Sequence, residues 1–129
     1  MKRAGKLIER IADEENLRNA YGRARRGKSD RLSVQRFGRY LDEEIRVLSR
    51  ELLEERWQPG PMHPFRIFDP KERLITAPSF RDRVVHHAML NVCEPYFERW
   101  SIFDSYACRV GKGRLRALER ALTFNRRWK

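Results

Sequence analysis

Two groups of cationic side chains lie where they could bind phosphate. Lys71 and Arg73 sit at and just beyond the tip of a short polar turn, where a mobile finger could bring both charges to a triphosphate. The alternative is a pair of ordinary exposed turn residues. The second group is a glycine-rich segment, RVGKGRLR, whose cations are Arg109, Lys112, Arg114 and Arg116. Its glycines permit close backbone approach and the following helix offers free N–H groups, but the spacing excludes a P-loop.

The remaining candidate groups do not combine into a reaction centre. His86 and His87 are adjacent, so on a helix their side chains diverge by about 100° and cannot share one metal ion. Asp69, Asp82 and Asp104 each have a local role, in a turn, at a helix start and in a loop. A polymerase or nuclease needs two or three carboxylates converging on paired divalent metals. We therefore predict no metal site and no catalytic residue here.

The charge favours a polyanionic partner. The chain carries 29 Lys and Arg residues against 18 Asp and Glu residues, a net charge of +11, and most of the cations are arginines, which bind phosphate oxygens in pairs. Residues 71–129 hold 13 of these cations and 6 of the acids, whereas residues 31–70 hold 7 of each. This asymmetry predicts nucleic-acid binding, with a solvated basic surface as the alternative.

Apolar periodicity predicts helices in the first half of the chain. Two short helices precede residue 25, with Asp13 capping the second, and a basic loop follows at residues 25–31. One long amphipathic helix is predicted from a cap at Ser33 to a stop at Pro59 and Gly60. Its apolar stripe steps by three or four residues throughout: Val34, Phe37, Leu41, Ile45, Leu48 and Leu52.

The second half predicts a β-hairpin and two further helices. Strands at residues 65–68 and 73–76 flank a turn at residues 69–72 with proline in the position that a type I turn favours. Ser79 and Asp82 form a capping box for a helix that Pro95 ends, and a last helix begins after Gly113. The aromatic stretch between them, residues 96–106, is predicted to be irregular and to pack rather than stack on bases. The fold class is α+β, mostly helical.

The cysteines and the hydropathy of the sequence indicate the cellular compartment. Cys93 and Cys108 are too few and too far apart for a zinc site or disulfide framework, so we expect packing residues in a reducing compartment. No apolar run approaches membrane-spanning length, and the basic start is not followed by the apolar stretch of a signal peptide. The expectation is a cytoplasmic protein without a membrane partner.

Two blocks of this sequence resemble prokaryotic reverse transcriptases. Residues 65–90, FRIFDPKERLITAPSFRDRVVHHAML, are similar to the first conserved block of that family. Two further segments, PYFE at residues 95–98 and DSYACRVGKG at residues 104–113, resemble the family's second conserved block and its Gly-Lys-Gly turn. Both blocks are most similar to diversity-generating retroelement and group II intron-like enzymes. The resemblance implies that residues 61–129 are the fingers part of a right-hand polymerase and residues 1–60 an N-terminal helical extension.

The resemblance also implies roles for individual residues of an RNA-directed DNA polymerase. Lys71 and Arg73 match cations that grip the incoming deoxynucleoside triphosphate (dNTP). Arg81 and Arg83 match an Arg-Asp-Arg signature that is template-facing or a structural support. The partners would be an RNA template, an RNA/DNA hybrid and dNTPs. The cations placed along the template strand are Arg109, Lys112, Arg114 and Arg116.

The sequence departs from the family in two respects. Many relatives carry Thr at the position of Arg114. The family's catalytic aspartates lie in later blocks, after the point that Lys129 occupies here. We therefore expect a fragment, truncated product or half of a split enzyme that is inactive alone and needs a palm and thumb, with Mg²⁺ bound by the complete enzyme.

Two other functions fit part of the pattern. One is a non-enzymatic basic nucleic-acid-binding module derived from such a domain, which would bind in a salt-dependent way without any nucleotide requirement. The other is a helical DNA-binding regulator, which needs a recognition helix and usually a dimer. The predicted hairpin between the helices argues against the regulator.

Overall fold

The computed structural model of the chain describes residues 4–128. Within that range the structure is mostly helical with one two-stranded antiparallel sheet, which confirms the α+β class. Its elements in chain order are α1 (Leu7–Ile11), α2 (Glu14–Arg25), α3 (Leu32–Arg39), α4 (Leu41–Leu53), β1 (His63–Phe68), β2 (Glu72–Ala77), α5 (Phe80–Trp100) and α6 (Arg114–Arg127).

The start of α2 follows the predicted cap. The Asp13 carboxylate accepts a hydrogen bond from the backbone N–H of Asn16 at 3.0 Å, which satisfies one of the unpaired donors of the first turn. The amide of Asn16 in turn donates to the carbonyls of Ile11 and Ala88, at 3.0 and 3.1 Å. The break between α1 and α2 is therefore tied to α5 by one side chain.

The prediction of one long helix is wrong, because the segment forms two helices, α3 and α4, that are divided at Tyr40. This residue has φ −113° and ψ 32°, outside the helical region, and it both ends α3 and precedes α4. The apolar stripe stays in phase across the break, with Val34 and Phe37 buried before it and Ile45 buried after it. Periodicity alone therefore gives no sign of the division.

Both predicted ends of that helix are also wrong. The residue before α3 is Arg31, not Ser33, and no side chain caps the helix there. α4 ends at Leu53, well before Pro59, and Glu55 adopts the left-handed region with φ 55°. Backbone N–H groups of the two residues after Glu55 donate to the Glu51 carbonyl, at 2.9 and 3.1 Å, and so close the helix end without proline or glycine.

The hairpin is confirmed, with longer strands than predicted. β1 and β2 pair from His63 opposite Ala77 to Phe68 opposite Glu72, which leaves a three-residue turn at residues 69–71. The backbone N–H of Asp69 donates to the Lys71 carbonyl at 3.3 Å across that turn. Lys71 is thus in the turn itself.

The capping interaction at the start of α5 is confirmed, and its predicted end is wrong. The Ser79 hydroxyl accepts from the Asp82 backbone N–H at 3.1 Å. The helix then continues through Pro95 to Trp100. Proline removes one helical N–H donor, but its fixed φ is compatible with a helix. The region predicted to be irregular therefore begins after Trp100.

The buried core is formed by α1 to α5. Leu17 of α2, Ile45 and Leu48 of α4, and Val84 and Val85 of α5 are fully buried. Contacts divide the chain into two compact units between Cys93 and Glu94. The hairpin and most of α5 fall in the first unit, and the segments 1–60 and 61–129 stay a prediction.

The unit after Cys93 exposes much of its apolar surface. Helix α6 begins after Gly113, as predicted, and none of its residues is buried. Phe97, Trp100 and Phe103 are more than half exposed, so the expected packing of the aromatic stretch is wrong for these three rings. Cys93 packs against the core, but Cys108 is exposed, which corrects its expected packing role. No helix within residues 4–128 has the length and apolar character needed to cross a membrane.

Candidate nucleic-acid interface

The hairpin tip presents two cations with no acidic partner. Lys71 and Arg73 are both exposed, and neither forms an ion pair within residues 4–128. The one ion pair on the hairpin joins Arg66 to Glu72. The geometry therefore leaves both predicted dNTP-binding cations available to a ligand.

The two faces of the hairpin differ in charge. Residues paired across an antiparallel ladder project from the same face, and successive residues alternate. Arg73, opposite Ile67, consequently lies on the same face as the pair Phe65 and Ile75 and the pair His63 and Ala77. Arg66 and Glu72 lie on the other face. The face that carries Arg73 has no carboxylate along the strands and runs down to the hairpin base.

A cleft of about 320 Å³ opens at the base of that face. Its walls come from the loop after α2, the start of α3, the paired ends of the two strands, and the first turn of α5. Three of the residues that line it are cations: Lys28, Arg31 and Arg83. The lining residues include no carboxylate, and none of these three cations forms an ion pair in the described part of the chain.

The three cations repel one another. Repulsion from Arg83 is the main cause that lowers the pKa of Lys28, followed by burial and by repulsion from Arg31. The pKa of His87, one turn further along α5, is lowered chiefly by burial and then by nearby cations that include Lys28 and Arg83. An anion in the cleft would relieve this repulsion.

Local sequence places the cations of the loop. Gly27 adopts φ 69°, a left-handed conformation that suits glycine, directly after α2. The Lys28 N–H then donates to the Arg25 carbonyl at 2.9 Å, and the Arg31 N–H to the Lys28 carbonyl at 3.1 Å. These two turns direct the loop back toward α5. Sequence reasoning identified the basic loop but missed Lys28 and Arg31 as site residues.

The Arg-Asp-Arg signature separates into two roles. Arg81 donates to Glu44 at 3.3 Å and to Glu51 at 3.0 Å, both on α4. Its guanidinium thus joins α5 to α4, and the template-facing role of Arg81 stays a prediction. Arg83 instead lines the cleft without an acidic partner among the described residues.

Arg109 is occupied within its own unit. Its guanidinium donates to the Glu98 carboxylate at distances of 2.8–3.0 Å and to the carbonyls of Ile102 and Ser105, at 2.9 and 3.0 Å. This interaction lowers the pKa of Glu98. The Arg109 side chain is only 13% exposed, so its contacts stabilise the loop that it closes. Template contact by Arg109 stays a prediction.

Lys112 is held by aromatic rings. Its ammonium lies 4.5 Å from the ring centre of Phe103 and 5.0 Å from that of Tyr106, and it donates to the Phe103 carbonyl. Arg120 forms an ion pair with Asp104 at 2.8 Å, which lowers the pKa of that carboxyl group. The loop before α6 is therefore folded around its own cations.

The remaining predicted cations lie at the start of α6. Arg114 is exposed and forms no ion pair within residues 4–128, whereas Arg116 lies 3.3 Å from Glu119. Gly111 and Gly113 have φ values of 71° and 100°, so this turn requires glycine at both positions. Gly113 precedes the helix without a side-chain cap. Of the glycine-rich segment, Arg114 is the cation most available to a phosphate.

The described residues offer no ligand set for Mg²⁺. Residues 4–128 contain no group of three or more His, Cys, Asp or Glu side chains placed to hold a metal ion. The metal that the resemblance implies therefore has no fitting residues in this range.

The comparisons with known proteins give no family for this chain. No protein-family model matches it, and no curated protein matches its sequence. The resemblance to reverse transcriptases, and the residue roles that it implies, stay predictions.

Proposed function

We propose that the chain is the fingers part of an RNA-directed DNA polymerase of the reverse transcriptase type. In this role it binds an RNA template and the phosphates of the incoming dNTP, and it does not catalyse nucleotide transfer alone. The observation that supports the proposal most is the exposed pair Lys71 and Arg73, at the end of a hairpin and without acidic partners in the described chain.

The chemistry of this pair suits a triphosphate. Cations that are already paired with carboxylates must lose that interaction before they bind a ligand, whereas Lys71 and Arg73 have no such cost. Arginine offers a planar fork to two phosphate oxygens, and lysine offers a compact charge. Because the turn is short and exposed, both side chains can reach a ligand held beyond the hairpin.

A non-enzymatic nucleic-acid-binding module is the second candidate. It is favoured by the unit that precedes Glu94, whose buried core brings the cations of the basal cleft together without the residues that follow. Such a module would bind RNA through its backbone phosphates and would not distinguish dNTPs from other anions.

Binding by the full chain tests the proposal. A single-stranded RNA of about 12 nucleotides, labelled for fluorescence anisotropy, should bind with an affinity that falls steeply between about 50 and about 200 mM salt. Replacement of both hairpin cations, Lys71→Gln with Arg73→Gln, should weaken dATP binding about fivefold and RNA binding less. The charge-matched control is Arg39→Gln with Arg50→Gln, whose side chains belong to α3 and α4 and do not line the cleft at the hairpin base. Equal effects of the two pairs on dATP would exclude the dNTP role and leave the binding module.

The coding DNA supplies an independent test of the polymerase hypothesis. An in-frame continuation past the codon for Lys129 into an aspartate-bearing strand and an acidic doublet would support it. A stop codon at that point would instead favour the binding module or one half of a split enzyme.

A further inference from the structure

The cleft at the hairpin base combines charge with an accessible aromatic ring. Lys28 and Arg31 face Arg83 across it, and the lining residues carry no carboxylate to neutralise them. Phe65 lines the same cleft and is 47% exposed. A ligand that satisfies both features needs an anionic group and a flat apolar group a short distance apart.

The occupant of this cleft is limited by size. Pockets that enclose small molecules have volumes of about 300–1,000 Å³, so a cleft of about 320 Å³ holds one nucleotide unit and no duplex. Phe80, the other phenylalanine in the lining, is already packed edge-on against Tyr21 and Phe37, with ring centres 6.1 and 5.4 Å away. Of the two phenyl rings, Phe65 is therefore the one on which a base can stack.

We propose that this cleft binds one nucleotide unit of a single-stranded nucleic acid, with its backbone phosphate between Lys28, Arg31 and Arg83 and its base against Phe65. The proposal rests on the nucleic-acid binding proposed above and adds a site that lies apart from the hairpin tip. Stacking on a protein ring requires a base that is free of its neighbours, so the strand must be single.

The phosphate is that of the backbone and not of a free nucleotide. The face that leads from the cleft to the hairpin tip carries Arg73 and no carboxylate on the strands, so a strand that enters the cleft can continue along it. A free nucleotide would gain nothing from that surface. The two sources can be separated with an RNA that has hydroxyl groups at both ends, because its only phosphates are in the backbone.

Two variants of the full chain test the two halves of the site. Lys28→Gln with Arg31→Gln should weaken binding of the unphosphorylated RNA and reduce the slope of log affinity against log salt by about 0.7, the loss of one phosphate contact. Phe65→Leu should weaken binding about tenfold and leave that slope unchanged, because stacking releases no counterions. Arg39→Gln with Arg50→Gln controls for the loss of two charges, and urea unfolding checks that each variant is folded.

The outcomes are distinct. A slope reduced by the cleft pair and not by the control pair supports the phosphate site. If the wild-type chain binds RNA but the cleft variant and the control variant have the same salt slope, the proposed nucleotide site in the cleft is wrong. The proposed function would then remain in place. Failure of the wild-type chain to bind any RNA would overturn both. Inorganic phosphate or dATP, added at the same phosphate concentration as the RNA, could also displace the RNA from the wild type. If that displacement occurred in the wild type and not in Lys28→Gln with Arg31→Gln, the cleft would bind free phosphates, and the proposal would be overturned.

Discussion

Arg81 on the first turn of α5 lies 3.0 Å from the carboxylate of Glu51 on α4, while Arg83, two residues on, has no acidic partner in the described chain. These two arginines of one short motif thus differ in their partners. One guanidinium joins two helices of the core, and the other faces a cleft of cations. Their substitutions should separate stability from binding.

Arg81→Ala should lower the free energy of unfolding by about 1–2 kcal/mol, because Glu44 and Glu51 lose a partly buried partner. Arg83→Ala should change stability by no more than about 0.5 kcal/mol and should weaken RNA binding. Urea unfolding and fluorescence anisotropy on the two variants measure these effects. If Arg81→Ala weakened binding more than Arg83→Ala did, the division of roles would be wrong.

Asp82→Ala should lower the free energy of unfolding by about 2–4 kcal/mol, which is more than the loss expected for Arg81→Ala. The Asp82 side chain is 3% exposed and accepts from the backbone N–H of Gly60 at 3.0 Å and from the Ser79 hydroxyl at 2.7 Å. Alanine leaves the Gly60 donor without a partner in a partly buried place. Asp82→Asn, which keeps one acceptor oxygen and the same shape, should lose less, and equal losses in urea titrations would contradict the hydrogen-bonding account.

Gly38→Ala should destabilise the chain by about 1–3 kcal/mol. A Cβ atom at this position would lie 2.6 Å from the hydroxyl oxygen of Tyr21, whose ring is buried and stacked on Phe37 at 5.6 Å between ring centres. Removal of that oxygen by Tyr21→Phe should restore part of the loss, so the double variant should be more stable than the sum of the single variants predicts.

The control for Gly38 is another helical glycine. A Cβ atom added at Gly22 on α2 would meet no other part of the described chain within 4 Å beyond its own helix backbone. Gly22→Ala should therefore raise stability by about 0.5–1 kcal/mol. Thermal unfolding of the three variants and the double variant gives the comparison. Similar effects at the two glycines would show that close packing on Tyr21 is not the cause.

Stability should rise with pH through the titration of His87. Burial is the largest cause that lowers its pKa below the ordinary value of 6.5, and Arg23, Lys28, Arg83 and His86 lower it further. Between the lowered pKa and 6.5 the unfolded chain binds more protons than the folded chain, so protonation favours unfolding. Urea midpoints should therefore fall as the pH drops below 6.5, and His87→Gln should remove part of that fall. An identical pH profile for the variant would exclude His87 as the source.

Short-range signals located some element ends and missed others, such as the expected cap at Ser33. Asp13 and Ser79 could be identified as caps because each bonds to a backbone N–H three residues away, a distance that sequence spacing states directly. Turn chemistry likewise located the hairpin. The error at Tyr40 arises because the apolar stripe stays in phase across the break, so periodicity does not show it. The error at Pro95 arises because the helix continues through a proline that was expected to end it.

The basal cleft could not be predicted in the same way. Lys28 and Arg83 are far apart in the sequence, and only the packing of the loop after α2 against the start of α5 brings them together. Charge counting also could not distinguish Arg83 from Arg109, which is bonded to Glu98 and two carbonyls. Whether a cation is available depends on its partners in the fold.

Helix α6 contains no buried residue, so its backbone amides lack the protection from hydrogen exchange that a packed face gives. A helix of 14 residues without a buried face depends mainly on its own hydrogen bonds and on the Arg120–Asp104 ion pair, and isolated helices of about 12–15 residues are marginal in water. Its amides should therefore exchange with deuterium much faster than those of α2 and α4, whose apolar faces are buried. A ligand or second domain that covered Leu115, Leu118 and Leu122 would be detected as slowed exchange confined to this helix.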